Sequence, residues 1–204
     1  MTMKLFSSKT SPYARKIKVA AEELGLADQI EEIVADPFAP TDEFLATNPL
    51  SKIPVLVTEH GTALPDSALI LDYLSHKKTG LAALPRGVKR WEVLRRTQLA
   101  DGIIDCAVAC QVEKRRPESI HYIPHLDRQK ATINRTLDLL NADAGLLALQ
   151  TPGLCEITVG VALGYLDFRM HYLEWRARRE ALASWYAVFA QRPSMLKTQP
   201  PPQA

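Results

Sequence analysis

The chain has 204 residues, enough to bury a substantial core as one large domain or two small ones. With 47% hydrophobic and 24% charged residues and a net charge of +2, its composition is not that of a disordered chain, and its bulk charge does not point to nucleic acid. No apolar run approaches the roughly 20 residues of a membrane span, and the opening Met1-Thr2-Met3-Lys4-Leu5-Phe6 lacks the apolar core and cleavage site of a secretion signal.

Lys4-Leu5-Phe6 reads as a short strand, and Ile17, Ala20, Ala21 and Leu24 follow at helical spacing up to Gly25, a helix stop. Ile30 to Val34 is a second strand, so the opening is a strand–helix–strand unit with a right-handed parallel crossover. Asp36 to Asn48 is looser, holding two prolines and a short helix. Residues 53–57 form the next strand, and the turn composition of Glu59-His60-Gly61-Thr62 predicts a hairpin. Pro65-Asp66-Ser67 opens a helix carrying Leu69, Ile70, Tyr73 and Leu74. Thr79 to Gly87 has the composition of a linker.

Beyond it the pattern is helical throughout. Trp91, Leu94, Leu99, Ile103, Ala107 and Val108 lie on a long helix, and Ile133, Leu137 and Leu140 on another. Leu154 to Phe168 is apolar nearly all round, as a buried central helix would be. Trp185, Val188 and Phe189 mark a last helix before Arg192-Pro193, and the Pro-rich tail from Gln199 to Ala204 is expected to be poorly ordered. The expected domains are 1–78, a linker at 79–87, and 88–204.

Cys106, Cys110 and Cys155 are an odd count without a C-x-x-C pair, which points to core thiols, a reducing compartment and a cytoplasmic location. His121 and His125 flank Pro124, which spoils a helical metal pair, so no metal is expected. Glu113-Lys114-Arg115-Arg116 reads as a solvated run that also suits attraction of anionic substrates.

Three stretches of the first domain carry chemistry. In Thr10-Ser11-Pro12-Tyr13, Ser11 suits an N-cap and Pro12 the first helical position, which aims a hydroxyl and helix N–H groups at one spot and stabilises an anion there. In Asn48-Pro49-Leu50-Ser51-Lys52-Ile53-Pro54, Pro54 belongs at a loop-to-strand corner, either cis or trans; if it is cis, the Ile53 backbone is free to pair with an extended ligand. At Asp66-Ser67, helix N–H donors suit a carboxylate and Asp66 suits an amine.

In these three motifs, and in Leu154 to Arg169 with its Ala162-Leu163-Gly164-Tyr165-Leu166-Asp167, the chain resembles the cytosolic glutathione S-transferase family over nearly its whole length. The resemblance implies an α/β thioredoxin-like N-terminal domain, an all-α C-terminal domain, and a homodimer. It implies glutathione held by Ile53 ahead of a cis Pro54 at its cysteinyl backbone, and by Asp66 and Ser67 at its γ-glutamyl end. Lys52 is either within reach of the glycyl carboxylate or a solvated loop lysine. A free thiol with a pKa near 8.5 is only about 3% ionised at pH 7, so activation needs a donor. Ser11 is the first choice and Thr10 the runner-up; Tyr13 could donate too, but its second helical position favours packing. Ser11 and Ala14 stand where relatives that exchange disulfides carry cysteines, which argues against a reductase.

The expected activity is transfer of glutathione to a small electrophile, with an apolar pocket near Ile103, Ala107 and Cys110 and a role in detoxification. Two alternatives remain: a binding or regulatory protein without turnover, and a glutathione-dependent isomerase, whose Ser-Ser-x-Ser start is only partly echoed by Ser7, Ser8, Ser11 and Arg15. The family's central helix often starts with Ser or Thr; Gly153-Leu154-Cys155-Glu156 departs from that and leaves Glu156 to reach back alone.

Overall fold

The computed structural model describes residues 2–202. It has two compact units, one built from the chain up to Leu81 together with the stretch from Pro193 on, the other from Ala82–Arg192.

In the first unit, β1 (Met3–Ser7), α1 (Pro12–Leu24), β2 (Ile30–Val34), α2 (Asp42–Thr47), β3 (Val55–Val57), β4 (Ala63–Pro65) and α3 (Ser67–Lys77) follow in order. The sheet runs β2-β1-β3-β4; β1 and β2 are parallel, and β3 is antiparallel to both β1 and β4. Gly25 stops α1 in the left-handed region at φ 59°, with its N–H on Glu22 O at 3.0 Å and Leu26 N–H on Ala21 O at 2.8 Å. Ile17, Ala20 and Leu24 of α1 and Ile70 and Leu74 of α3 are fully buried where the two helices pack. Phe6, Phe44 and Val55 form a further core cluster, the two rings 5.6 Å apart.

The expected 88–204 domain loses its last stretch to this unit. A short helix that the sequence pattern did not reveal, α8 (Pro193–Lys197), lies against α1. The buried Arg15 donates to Met195 O at 3.0 Å, Ser194 Oγ to Glu23 Oε1 at 2.5 Å, and Lys197 pairs with Glu22 at 2.8 Å. These contacts join residues about 170–180 apart in sequence, beyond the reach of any local pattern. Gln199–Pro202 carries no helix or strand; Gln203 and Ala204 of the expected tail, and Met1, lie outside the described residues.

The second unit contains α4 (Val88–Glu113), α5 (Ile123–Ala142), α6 (Leu154–Arg169) and α7 (Glu180–Phe189). Helix α6 is buried from Cys155 to Leu166 and packs on α4. Gly160 lets α7 come close: a Cβ there would lie 2.4 Å from the Phe189 ring, which stacks on Trp185 at 4.6 Å. At the start of α6, Glu156 accepts from Gly153 N–H at 2.9 Å and Ala148 N–H at 3.2 Å, so it does reach back. The missing hydroxyl cap has a packing reason. Ala82 bridges to Gly153, and a Cβ on Gly153 would meet Ala82 O at 3.0 Å. The buried Arg179 ties α5 to α7, donating to Asp138 Oδ1 at 2.8 Å and Asn134 O at 3.1 Å.

Ile103, Ala107 and Cys110 are buried in the core, so they do not themselves line an open pocket, whereas Trp91 is 68% exposed. The three cysteines are unbridged, and burial pushes the Cys155 thiol up to about 11. Among the described residues no helix is long and apolar enough to cross a membrane, and no group of three potential metal ligands occurs.

Candidate functional site

Sheet topology gathers the three motifs. The registers Phe6↔Val55 and Val55↔Pro65 bring the end of β1, the start of β3 and the end of β4 to one end of the sheet. Ser8–Ser11, Ile53-Pro54 and Asp66-Ser67 are the segments leading out of those three ends, and α1 and α3 both begin there. Two helix N-termini and their unshared N–H groups therefore favour negative charge at this end.

Ser11 is the N-cap of α1, at φ −73° and ψ 121°. Its Oγ accepts from Ala14 N–H at 3.2 Å and its C=O from Arg15 N–H at 3.0 Å. With an Oγ lone pair committed to the helix, the hydroxyl hydrogen is left for an acceptor beyond it. Thr10 is half-buried, and its hydroxyl has no partner among the described residues. The Lys16 ammonium lies 5.7 Å from the Tyr13 ring centroid.

The Ile53–Pro54 peptide is cis. Pro54 is buried, and neither main-chain polar group of Ile53 has a hydrogen-bond partner among the described residues. Regular β3 begins only at Val55, two residues later than the 53–57 strand read from the sequence, because Pro54 has no N–H to give the ladder. Lys52 is exposed beside this open main chain.

Asp66 takes φ 75° and ψ 133°, a region that costs a non-glycine residue about 1–3 kcal/mol. Its Oδ1 caps α3 by accepting from Ala68 N–H at 2.7 Å, and Ser67 behind it is buried. Strain of this kind persists only where the surroundings over-determine it, and here it sits with the other two motifs.

Asn48 stands in the second motif, and its part there shows only in the structure. It is 2% exposed; its Nδ2 donates to Lys52 O at 2.8 Å, its Oδ1 accepts from Leu50 N–H at 3.2 Å, and its C=O accepts from Ser51 N–H at 3.0 Å. These bonds hold Ser51 at φ 49° and fix the loop immediately before Ile53. The signal was the Asn-Pro step itself, since Asn side chains bond the backbone two residues on.

Comparison with known proteins adds the following. Residues 10–77 match the family model for the glutathione S-transferase N-terminal domain, and residues 123–187 that for its C-terminal domain. The GST-like protein YibF of Escherichia coli (strain K12) is 35% identical over 202 residues, covering 98% of this chain and 99% of its own. A crystal structure of a glutathione transferase family member from Pseudomonas fluorescens Pf-5 with bound glutathione is 39% identical, with a TM-score of 0.90, covering 98% of this chain and 100% of that one. A glutathione S-transferase from Methylobacillus flagellatus KT with glutathione bound is 34% identical with a TM-score of 0.89, over 98% of this chain and 100% of that one.

Proposed function

Because the chain belongs to the glutathione S-transferase family, we propose that it is a glutathione transferase: glutathione lies at the gathered end of the sheet, its thiol ionises there, and the thiolate attacks a small electrophile. The observation that carries this is Ser11, a hydroxyl already used as acceptor by the first turn of a 13-residue helix and so left to donate to a sulfur anion. Glutathione bound to the Pseudomonas fluorescens and Methylobacillus flagellatus relatives supports the ligand.

Lowering a thiol pKa by about two units takes about 2.7 kcal/mol. A hydrogen bond to a charged group contributes about 1.5–3 kcal/mol and a helix N-terminus about 0.3–1 kcal/mol, so a hydroxyl on a helix cap suffices. Thr10 is the second candidate donor. The open main chain of Ile53 pairs with the cysteinyl backbone. Asp66 takes the γ-glutamyl amine, the α3 N-terminus with Ser67 takes its carboxylate, and Lys52 takes the glycyl carboxylate. A homodimer, a cytoplasmic setting and a detoxifying role belong to the same reading.

Retention on glutathione-agarose followed by conjugation assays on a panel of electrophiles tests it. Retention with turnover is expected. Retention without turnover makes the chain a binding protein, and failure of retention defeats the reading. Ultraviolet titration of bound glutathione then locates the donor: Ser11→Ala should raise the thiol pKa by one to two units, about 1.4 kcal/mol each, with affinity within a few fold. An unchanged value moves the role to Thr10 or to backbone donors.

A further inference from the structure

On the flank of the first unit, between α1 and the edge strand β2, lies a groove of about 400 Å³, and none of Ser11, Ile53 and Ser67 lines it. That volume is in the range of small-molecule sites. The half-buried Ala27 and Ile30 give it apolar surface, and Thr198, Gln199 and Pro201 close one side.

Its walls are charged with both signs. Lys18 pairs with Glu32 at 3.0 Å and Lys197 with Glu22 at 2.8 Å. The buried Ser7 hydroxyl donates to the same Glu32 oxygen, Oε1, that Lys18 holds. Glu32 Oε2 and Glu22 Oε1 therefore have no partner among the described residues, and neither does the Lys9 ammonium, which also lines the groove. Burial works to raise the Glu32 pKa, but hydrogen bonds from Ser7 and Lys18 and the charges of Lys18 and Lys9 bring it below the usual carboxylate value. Lys9 is thus near Glu32 without touching it, and a gap separates a free donor from a free acceptor.

A purely anionic ligand would meet two carboxylates in this groove, and a purely cationic one three ammonium groups. A dipolar ligand meets the opposite sign at each end and lays its apolar body on the apolar surface between. We propose that this groove, bounded by α1, β2 and the C-terminal segment, is a second ligand site that takes a small zwitterion with an apolar body, of the kind an apolar dipeptide presents, its carboxylate on Lys9 and its ammonium on Glu32. The site is independent of the glutathione reading and stands or falls separately from it.

Isothermal titration of the full chain with leucyl-leucine tests this. Saturable one-to-one binding is expected, unchanged by saturating glutathione. N-acetyl-leucyl-leucine, which lacks the ammonium, and leucyl-leucinamide, which lacks the carboxylate, should each bind at least about ten-fold more weakly, as loss of one close charge pair implies. Lys9→Glu, at an exposed position that does not threaten folding, should weaken leucyl-leucine by at least the same factor, and Ala27→Trp should fill the groove and abolish binding. Equal binding of the N-acetyl form would replace the zwitterion by a simple anion and overturn the proposal. Competition by glutathione would relocate the heat to the thiol site, and undiminished binding by Lys9→Glu or no saturation at all would remove the site.

Discussion

Replacing Asn48 by Ala should separate glutathione recognition from thiol activation. The substitution leaves the Lys52 C=O and the Leu50 N–H, bonded at 2.8 and 3.2 Å, without their side-chain partner in a position only 2% exposed. Two lost hydrogen bonds, with at least one group left dry, cost about 2–3 kcal/mol. For a chain of this length that lowers Tm by about 5–10 °C. Part of the cost falls on the loop alone, because the fraction of molecules with Ile53 correctly presented divides directly into the apparent affinity. A loss of about 1.4 kcal/mol of loop order raises KM for glutathione about ten-fold. The proposed thiol donor, Ser11, caps α1 outside this loop, so the pKa of bound glutathione and kcat at saturation should stay within a factor of about two. Steady-state kinetics with glutathione varied, beside a thermal melt, reads all of these. Asn48→Asp keeps the acceptor for Leu50 but sets a buried carboxylate oxygen against the Lys52 C=O, so it should be at least as damaging as Asn48→Ala. A lower Tm with unchanged KM would refute the reasoning, because the loop would then present Ile53 without Asn48's help.

Other expectations follow from the same geometry. Gly160→Ala puts a methyl within 2.4 Å of the Phe189 ring and should cost about 1–3 kcal/mol by overpacking, read from urea unfolding of the single variant. Gly153→Ser supplies the hydroxyl cap that α6 lacks, yet it should destabilise in the same assay, because its Cβ meets Ala82 O at 3.0 Å; a rise in stability would show that the linker backbone yields. Glu59 is held at about 2 by the Lys77 ammonium first, then by its own backbone N–H and the Tyr73 hydroxyl. Its folded pKa lies below the unfolded value near 4.3, so its contribution is present above about pH 4.3 and is lost as pH falls toward 2. Glu59→Gln should flatten the acid limb of the stability curve in that window and leave its slope near neutrality unchanged. Ser11→Ala should also lose about 1 kcal/mol of stability with the N-cap, so the thiolate titration is to be read on protein shown to be folded by circular dichroism.

What the sequence made legible is local. Ser11 as N-cap, Pro12 inside the first turn, Gly25 at the stop and Glu156 reaching back each follow from backbone donors within four residues, and each is found. The order of strands and helices was readable for the same reason, and the three site motifs stand out because Pro and Asx residues mark chain corners. What was hidden depends on distant partners. Gly153 looks like a weak cap until Ala82 is brought beside it, and nothing local pairs Arg15 with the Met195 carbonyl that accepts from it. Asp66 gives no hint of its positive φ, since Asp is an ordinary cap residue and only the corner from β4 imposes that backbone. Trp91 satisfies the helical period yet is exposed, because a periodic stripe does not say how far along a helix its cover extends.

The clamp of Pro193–Lys197 on α1 has a consequence for biosynthesis. The first unit contains a strut translated about 170–180 residues after the helix that it clamps. While the ribosome still holds that strut in its tunnel, the first unit emerges without its cover, and Arg15 must wait in water for the carbonyl it will occupy. Emergence of residues 193–197, rather than synthesis of the first unit's own strands, is the event that locks the helix capped by Ser11.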